Sequence, residues 1–345
     1  MKIILDAMGG DLAPAAFISG AFRAVKELSA DIMLVGQGEV LLEQMRSLGY
    51  SDLPKGLEIA NADDVVTMHD DPATVVHTRK NSSMVLGLKM LADGAGDAFI
   101  SAGNTGALLS AATLMVKRIK GIRRAAFGPT VPTKTGRAVI IDAGANAECT
   151  PEFLLQFGCV GSLFAKKTLG LEQPRVGLLN NGAEESKGDE LHKQAYVLLK
   201  EAGERGTINF IGNIEARDVP LGGADVVVCD GFSGNVLLKS IEGTAMFMGS
   251  LMKKMFTKNI FTKLGALLCG KGEDIKKMMD YREVGGTLLL GISKPVIKAH
   301  GSSDALAVFG AIRQAIQAVE SGFCEDIKAN ISAMSLPKES GNEQP

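Results

Sequence analysis

This 345-residue sequence has no tryptophan, no closely paired cysteines and no long hydrophobic run. No stretch reaches the roughly 18 uninterrupted apolar residues of a membrane-spanning helix. The amino terminus, MKIILD, has no apolar stretch followed by a cleavage site, so it does not resemble a secretory signal. We therefore expect a cytoplasmic protein that neither leaves the cell nor crosses a bilayer.

Disulfide chemistry and a strong net charge are also missing. The cysteines are odd in number, widely spaced and without a CxxC pair, which favours reduced, packed thiols; they are Cys149, Cys159, Cys229, Cys269 and Cys324. The formal net charge of -2 provides no basic field for a general nucleic-acid binder. No nucleic-acid partner is expected.

Several catalytic motifs are absent as well. There is no GxSxG elbow, no HExxH motif and no GxGxxG after the first predicted strand. These absences disfavour a serine acyl-enzyme, a histidine metal site and a nicotinamide-linked dehydrogenase. Four aspartates at strand ends could bind Mg²⁺, but hydrogen-bonding or capping roles are favoured for Asp6, Asp11, Asp142 and Asp230. No metal site is predicted.

Short apolar runs alternate with longer helical patterns, which is typical of parallel strands joined by crossover helices. The predicted strands are 2–5, 32–35, 57–60, 97–101, 138–141, 175–179, 207–211, 225–229 and 287–290. Thr150 and Pro151 begin one helix, and another follows Ser303. The sequence therefore predicts an α/β fold, with the Gly- and Pro-rich segment 121–136 crossing between two lobes.

Polar, glycine-rich loops follow most of these strands, where open parallel sheets bind ligands. The loops are DAMGGD (6–11), SAGNTGA (101–107), DAGAN (142–146), NNGAEESKG (180–188), DGFSGN (230–235) and AHGSS (299–303). Glycine lets a ligand approach the backbone, and free N–H groups at a helix start attract anions, so phosphate is a natural guest. The alternative is that each is an ordinary turn with a helix cap.

These loops, together with GNIEARDV (212–219) and ADVVVCDGFSGNVLLK (224–239), resemble the acyl-acyl-carrier-protein:phosphate acyltransferase (PlsX) family in the same order from about residue 1 to 330. The resemblance implies a two-lobed fold like those of isopropylmalate dehydrogenase and phosphate acetyltransferase, with a cleft between the lobes and a homodimer. It also implies acyl phosphate formation from acyl carrier protein and inorganic phosphate without a cofactor. A membrane acyltransferase would then pass the acyl group to glycerol 3-phosphate.

The resemblance suggests a discontinuous first lobe (1–126 and 300–334) and a second lobe (127–299), and the polar composition of residues 335–345, with Pro and Gly, predicts a flexible tail. Direct attack of phosphate on the thioester requires positioning and oxyanion stabilisation, for which we assign Lys187, Asn235 and His300 as catalytic residues. His300 would help the carrier thiolate leave. The predicted phosphate- and substrate-binding residues are Asp6, Gly9, Gly10, Ser101, Gly103, Asn104, Thr105, Gly106, Asp142, Asn146, Glu185, Asp230, Ser233 and Gly234.

Segment 243–272 is basic and amphipathic, and the sequence predicts that helices protrude over 243–280. This segment could contact anionic lipid, the acidic carrier protein or a second subunit. Two other functions stay open: transfer from acyl-CoA, and a peripheral membrane-binding module without catalysis.

Overall fold

The computed structural model describes residues 1–259, 262 and 285–334, and these residues form two sheets. The first sheet has the strand order β3-β2-β1-β4-β12-β11-β5. Its strands are β1 (Lys2–Asp6), β2 (Asp31–Gly36), β3 (Leu57–Asn61), β4 (Ala98–Ser101), β5 (Ala126–Gly128), β11 (Gly286–Leu290) and β12 (Val296–Ala299). The neighbours from β3 to β12 are parallel, whereas β11 is antiparallel to both β12 and β5.

The second sheet has the order β6-β7-β10-β8-β9. Its strands are β6 (Thr130–Thr133), β7 (Gly136–Ile141), β8 (Arg175–Asn180), β9 (Asn209–Glu215) and β10 (Val226–Val228). All pairs are parallel except β6 with β7. The strand ends that carry the polar loops therefore meet along one edge of each sheet.

Helices connect the strands and cover the sheets. They are α1 (Ala15–Leu28), α2 (Gly38–Ser47), α3 (Val75–Thr78), α4 (Ser83–Ala92), α5 (Thr105–Ala111), α6 (Pro151–Thr168), α7 (Glu190–Glu204), α8 (Gly231–Thr257), α9 (Ala305–Glu320) and α10 (Phe323–Ala329). A π-helical turn, Ala112–Val116, continues α5. Pro151 begins α6, as the sequence predicts. Its missing N–H costs nothing there, because the N–H groups of the first helical turn have no partner within the helix.

Each of the nine predicted strands is present, and the α/β prediction is confirmed. The sequence missed β5, β6 and β12, which have three or four residues each. The edge strand β6 contains Pro132; proline has no N–H to donate, and an edge strand tolerates this because one of its sides has no neighbouring strand.

The lobe boundary differs from the prediction around residues 286–299. These residues were grouped with the second lobe, but β11 and β12 join the first sheet through pairing with β5 and β4. That pairing joins residues far apart in the chain, such as Leu288 and Gly128, so local sequence patterns do not reveal it. The remaining boundaries stay a prediction, and the tail 335–345 lies outside the described residues.

The carboxyl-terminal helices contact both halves of the molecule. Helix α9 packs against α1, whereas α10 packs against α6 of the other half. The Phe164 and Phe323 rings meet edge to face with centroids 6.1 Å apart, and Lys167 pairs with Asp326 at 2.7 Å. These contacts fix the two sheets around the cleft described next.

Candidate active site

A cleft of about 800 Å³ lies between the carboxyl-terminal edges of the two sheets. Of the predicted site residues, five line it: Gly10, Gly103, Thr105, Asn235 and His300. They come from loops after β1, β4 and β12 and from the start of α8. Ala143 and Gly144 of the DAGAN loop also line the cleft, so the structure brings together residues from five of the six predicted loops.

The first-sheet side of the cleft is built from closely packed backbone. Gly10 has φ +109°, and a side chain there would press on the Gly301 carbonyl oxygen 3.0 Å away. A Cβ on Gly9 would lie 2.7 Å from the Gly103 nitrogen. The Asp11 N–H donates to the Gly301 carbonyl over 2.7 Å. Glycine at positions 9 and 10 thus lets the three loops touch and present their backbone to the cleft.

The facing side is the first turns of α8. Asp230 caps this helix by accepting hydrogen bonds from the Ser233 N–H (2.9 Å) and the Ser233 hydroxyl (2.7 Å). The cap places Asn235 opposite Gly144 and exposes its amide to the cleft. One turn further along, Lys239 also lines the cleft and pairs with Glu242 at 2.7 Å.

Lys298 is a cleft-lining cation that the sequence interpretation missed. Its ammonium group donates to the Ala102 carbonyl (3.2 Å) and to the Ala299 carbonyl. Burial lowers the pKa of Lys298 to about 8, a shift that Asp6 and Asp11 oppose and Lys239 reinforces. An ammonium group has three N–H donors, so one remains for a ligand beside the SAGNTGA loop. The sequence feature that could have revealed Lys298 is the apolar, strand-like run PVIKA directly before His300.

His300 has a defined tautomer. Its Nδ1 accepts a hydrogen bond from the Ser302 N–H at 3.2 Å and lies 2.8 Å from the Ser302 hydroxyl. A backbone N–H can only donate, so the proton of the neutral ring is on Nε2. Burial lowers the pKa of His300, as do Lys239 and Lys298, although Glu242 and Asp11 act in the opposite direction. The imidazole is therefore neutral near pH 7.

Cations outnumber acids along the cleft. Arg137, Lys239 and Lys298 line it, against Asp11 and Glu242. With His300 neutral, this leaves an excess of one positive charge before any ligand binds. A partly desolvated cleft with that balance favours an anionic guest.

Most of the other predicted ligands instead organise the loops. Ser101 donates to the buried Asp6 carboxylate over 2.6 Å and accepts from the Gly103 N–H at 3.1 Å. Asn104 accepts from the Ala107 N–H at 3.1 Å, and its amide donates to the Thr67 and Met68 carbonyls. Burial raises the pKa of Asp6, and the hydrogen bonds that its carboxylate accepts from Ser101 and from the Met8 N–H partly offset this rise. A Cβ on Gly106 would lie 2.8 Å from Pro72.

Asp142 holds the connection between the sheets. It accepts hydrogen bonds from the N–H groups of Phe127 (2.9 Å), Ala145 and Asn146 (2.6 Å) and from the Asn146 amide (2.9 Å). A Cβ on Gly234 would overlap the Asp142 carbonyl oxygen. Five predicted site residues therefore support the lining residues without lining the cleft themselves: Asp142, Asn146, Asp230, Ser233 and Gly234.

Lys187 and Glu185 lie apart from the cleft lining, in the loop after β8. Glu185 accepts from the Tyr196 hydroxyl (2.8 Å) and pairs with Lys200 at 3.2 Å. Lys187 is exposed, and its backbone carbonyl accepts from the Asn180 amide at 3.2 Å. Strand β8 is two strands from β7 in the second sheet, so this loop lies further along the same edge. The catalytic assignment of Lys187 stays a prediction.

The four described cysteines are poor nucleophiles. Burial raises the pKa of Cys149, Cys159 and Cys324 to about 12 and also raises the pKa of Cys229 well above its usual value. The reactive thiolate is therefore scarce at neutral pH. Cys269 lies outside the described residues. Within the described ranges, no three His, Cys, Asp or Glu side chains form a metal-binding group, and no helix is long and apolar enough to span a bilayer.

A family model described as "Fatty acid synthesis protein" matches residues 1–326. A phosphate acyltransferase of Thermoanaerobacter pseudethanolicus is 48% identical over 336 residues, covering 97% of this chain and 98% of the relative. The chain therefore belongs to the phosphate acyltransferase family. A phosphate acyltransferase of Thermoanaerobacterium thermosaccharolyticum is 46% identical over 332 residues, covering 96% of this chain and 97% of that protein.

Among solved structures, a phosphotransacetylase from Streptococcus pyogenes aligns with a TM-score of 0.61 at 18% identity, covering 94% of each chain. At that identity the likeness concerns the fold alone. It confirms the predicted phosphate-acetyltransferase-like α/β architecture for this member of the family.

Proposed function

We propose that this protein transfers a fatty acyl group from acyl carrier protein to inorganic phosphate, releasing acyl phosphate. Membership of the phosphate acyltransferase family supports an acyltransferase that forms acyl phosphate. The observation that carries the phosphate site is the cation-rich cleft between the sheets, where Lys298 and the backbone at Gly103 and Thr105 lie together. No cofactor takes part in the proposed reaction.

In the proposed reaction, a phosphate oxygen attacks the thioester carbonyl directly. The new bond joins phosphate oxygen to the acyl carbon, and the carbonyl oxygen becomes an oxyanion. Collapse of this intermediate breaks the carbon–sulfur bond, and the released thiolate takes a proton from solvent. Phosphate is already nucleophilic near neutral pH, so the protein contributes positioning and oxyanion stabilisation.

The positions of the cleft residues support the following roles within this mechanism. Lys298 and the N–H groups around Thr105 hold phosphate, while the Asn235 amide donates to the oxyanion from α8. Lys187, which lies in an exposed loop outside the cleft lining, is assigned to the oxyanion as a further cation on the sequence prediction alone. His300 stabilises the departing thiolate as a neutral hydrogen-bond donor rather than as an imidazolium, because its pKa is lowered. The raised pKa values of the described thiols favour direct attack over an acyl-cysteine.

The partners follow from the same proposal. Acyl carrier protein delivers the thioester, a homodimer is the proposed assembly, and a membrane glycerol-3-phosphate acyltransferase consumes the acyl phosphate. The cytoplasmic location and peripheral membrane contact are part of the proposal. The portion of segment 243–272 that the structure describes extends α8, whereas residues 260, 261 and 263–284 lie outside the described residues.

The decisive assay measures phosphate-dependent release of free carrier protein from palmitoyl-acyl carrier protein, with palmitoyl-CoA as the competing donor. We expect the carrier-protein donor to be preferred and initial rates to fit a ternary complex. Lys187→Ala and Asn235→Ala should each lower kcat at least a hundredfold, since one oxyanion donor contributes about 10²–10³ to kcat. Lys193→Ala, on the neighbouring helix, is the control variant, and circular dichroism checks folding.

Other outcomes of this assay point elsewhere. Preference for palmitoyl-CoA would identify a coenzyme A-dependent acyltransferase. Ping-pong kinetics would indicate an acyl-enzyme. Absence of any phosphate-dependent thioester cleavage would favour the alternative function, a membrane-binding module without catalysis. Full activity of Lys187→Ala would remove Lys187 from the site.

A further inference from the structure

The cleft has an apolar side that the phosphate chemistry does not use. Residues from the crossing between the sheets (Pro129, Val131 and Pro132) and from α8 (Leu238, Ile241 and Ala245) line it. Leu238 and Ile241 pack against the hydrophobic cluster that contains Val131, so these residues form one continuous surface. We call it the apolar wall.

Helix α8 separates polar from apolar lining by its own geometry. Asn235, Lys239 and Glu242 recur at spacings of four and three, and Leu238, Ile241 and Ala245 recur at three and four. At about 100° per residue, these two stripes are centred roughly 90° apart on the helix. The polar stripe and the apolar wall therefore run side by side along the cleft.

The apolar wall is only partly covered by the protein itself. Leu238, Ile241 and Ala245 are each partly exposed, although they line a concave site rather than the outer surface. On the other side of the cleft, the Met68 side chain is 72% exposed, and its loop is tied to Asn104 by the hydrogen bond to the Met68 carbonyl (3.3 Å). An apolar surface within a polar-ended cleft is suited to a ligand with one charged end and one hydrocarbon end.

We propose that the apolar wall binds the hydrocarbon chain of the acyl donor, and that the small side chain of Ala245 lets long chains extend past position 245. This inference rests on the proposed acyl transfer to phosphate. The thioester would lie near Asn235, and the ten residues from Asn235 to Ala245 advance the helix about 15 Å. An extended chain advances about 1.2 Å per backbone bond, so this distance accommodates about 12 bonds. A larger side chain at position 245 would then obstruct longer chains only.

The test compares butyryl-, octanoyl- and palmitoyl-acyl carrier protein in wild type and Ala245→Leu at saturating phosphate. Each buried methylene group contributes about fourfold to binding, so wild-type kcat/KM should rise with chain length. Ala245→Leu should lower kcat/KM for the palmitoyl donor at least tenfold and leave the butyryl donor within twofold. The KM for phosphate should not change.

Two further variants make the result specific. Ser240→Leu adds a side chain of the same size on the exposed, opposite side of α8 and should keep the wild-type length profile. Ile241→Thr replaces the ethyl branch of isoleucine with a smaller, polar hydroxyl, and it should also weaken the palmitoyl donor selectively.

The proposal fails if Ala245→Leu and Ile241→Thr leave the length profile unchanged. It also fails if they weaken all three donors equally, because that result would assign the apolar wall to the pantetheine arm, which every donor shares. A wild-type enzyme that uses none of the donors would instead refute the proposed acyl transfer. The two failures are therefore distinguishable.

Discussion

At the scale of single residues, Lys298 is the group whose chemistry depends most on its surroundings. Two of its three donors bind backbone carbonyls, and burial brings its pKa to about 8. The groups that influence its charge are Asp6 and Asp11, which favour the ammonium form, and Lys239, which opposes it. The cation is present below pH 8 and is lost as the pH rises through that value.

We therefore expect the KM for phosphate to rise above about pH 8 in the wild-type enzyme. Lys298→Met should raise that KM about tenfold at pH 7, because a hydrogen bond to a charged group contributes about 1.5–3 kcal/mol. Lys298→Arg should bind phosphate without the rise above pH 8, since a guanidinium stays charged. Steady-state kinetics at varied phosphate concentration and pH would measure both effects.

Lys294→Met is the matched control for this experiment. Lys294 lies just before β12, the strand that contains Lys298, but its ammonium donates to the Leu91 carbonyl (2.7 Å) away from the cleft. It should leave the KM for phosphate and its pH profile unchanged. An unaltered phosphate KM in Lys298→Met would show that Lys298 does not contact phosphate.

At the scale of elements, the start of α8 shows how a glycine-rich loop can serve packing rather than anion binding. The sequence assigned Ser233 and Gly234 to phosphate, but Ser233 completes the Asp230 cap. Gly234 lies against the Asp142 carbonyl, and a Cβ added to it would be 2.7 Å from the Cys229 sulfur. Its missing side chain lets α8 approach the strand ends and place Asn235 in the cleft.

Gly234→Ala should lower the free energy of unfolding by about 1–3 kcal/mol, because the added methyl group overpacks rigid backbone. Gly243→Ala on the same helix has no atom within 4 Å of the added Cβ, and it should raise stability by about 0.5–1 kcal/mol. Urea denaturation of both variants would measure the difference. Equal effects would contradict the close packing at Gly234.

At the scale of the whole molecule, the carboxyl-terminal half of α8 carries exposed apolar side chains. Met246 is 75% exposed, Phe247 60% and Met255 66%. Lys253, Lys254 and Lys258 accompany them and are exposed as well. Such a surface combines apolar side chains that can insert into a bilayer with lysines that attract anionic headgroups, so the membrane contact of the proposed function would involve this surface.

Phe247→Glu should weaken binding to vesicles that contain phosphatidylserine about tenfold, because burial of an aromatic side chain contributes about 1.5–3 kcal/mol. Flotation assays would measure the bound fraction. Leu221→Glu, at a residue that is 62% exposed elsewhere on the surface, should have no effect. Unchanged flotation of Phe247→Glu together with dissociation of a dimer in sedimentation would assign this surface to the second subunit.

Local sequence was sufficient to predict the α/β class and to predict that the candidate site lies at the carboxyl ends of the strands. Apolar runs of strand length recur with helical segments between them, and polar loops such as SAGNTGA follow the strands directly. These signals are local because the alternation of apolar residues and the turn chemistry each depend on a few neighbouring positions. They also selected Gly103, Thr105, Asn235 and His300, which line the cleft in the structure.

Only the tertiary structure decided which polar groups face the cleft. Asp6, Asp142 and Asp230 satisfy backbone N–H groups of their own loops, whereas Lys298 enters the cleft because β12 pairs with β4, which lies about 200 positions earlier in the chain. A side chain's hydrogen-bond partners depend on what the fold places around it. Residue type and spacing therefore determined the kinds of group available, and long-range strand pairing determined their roles.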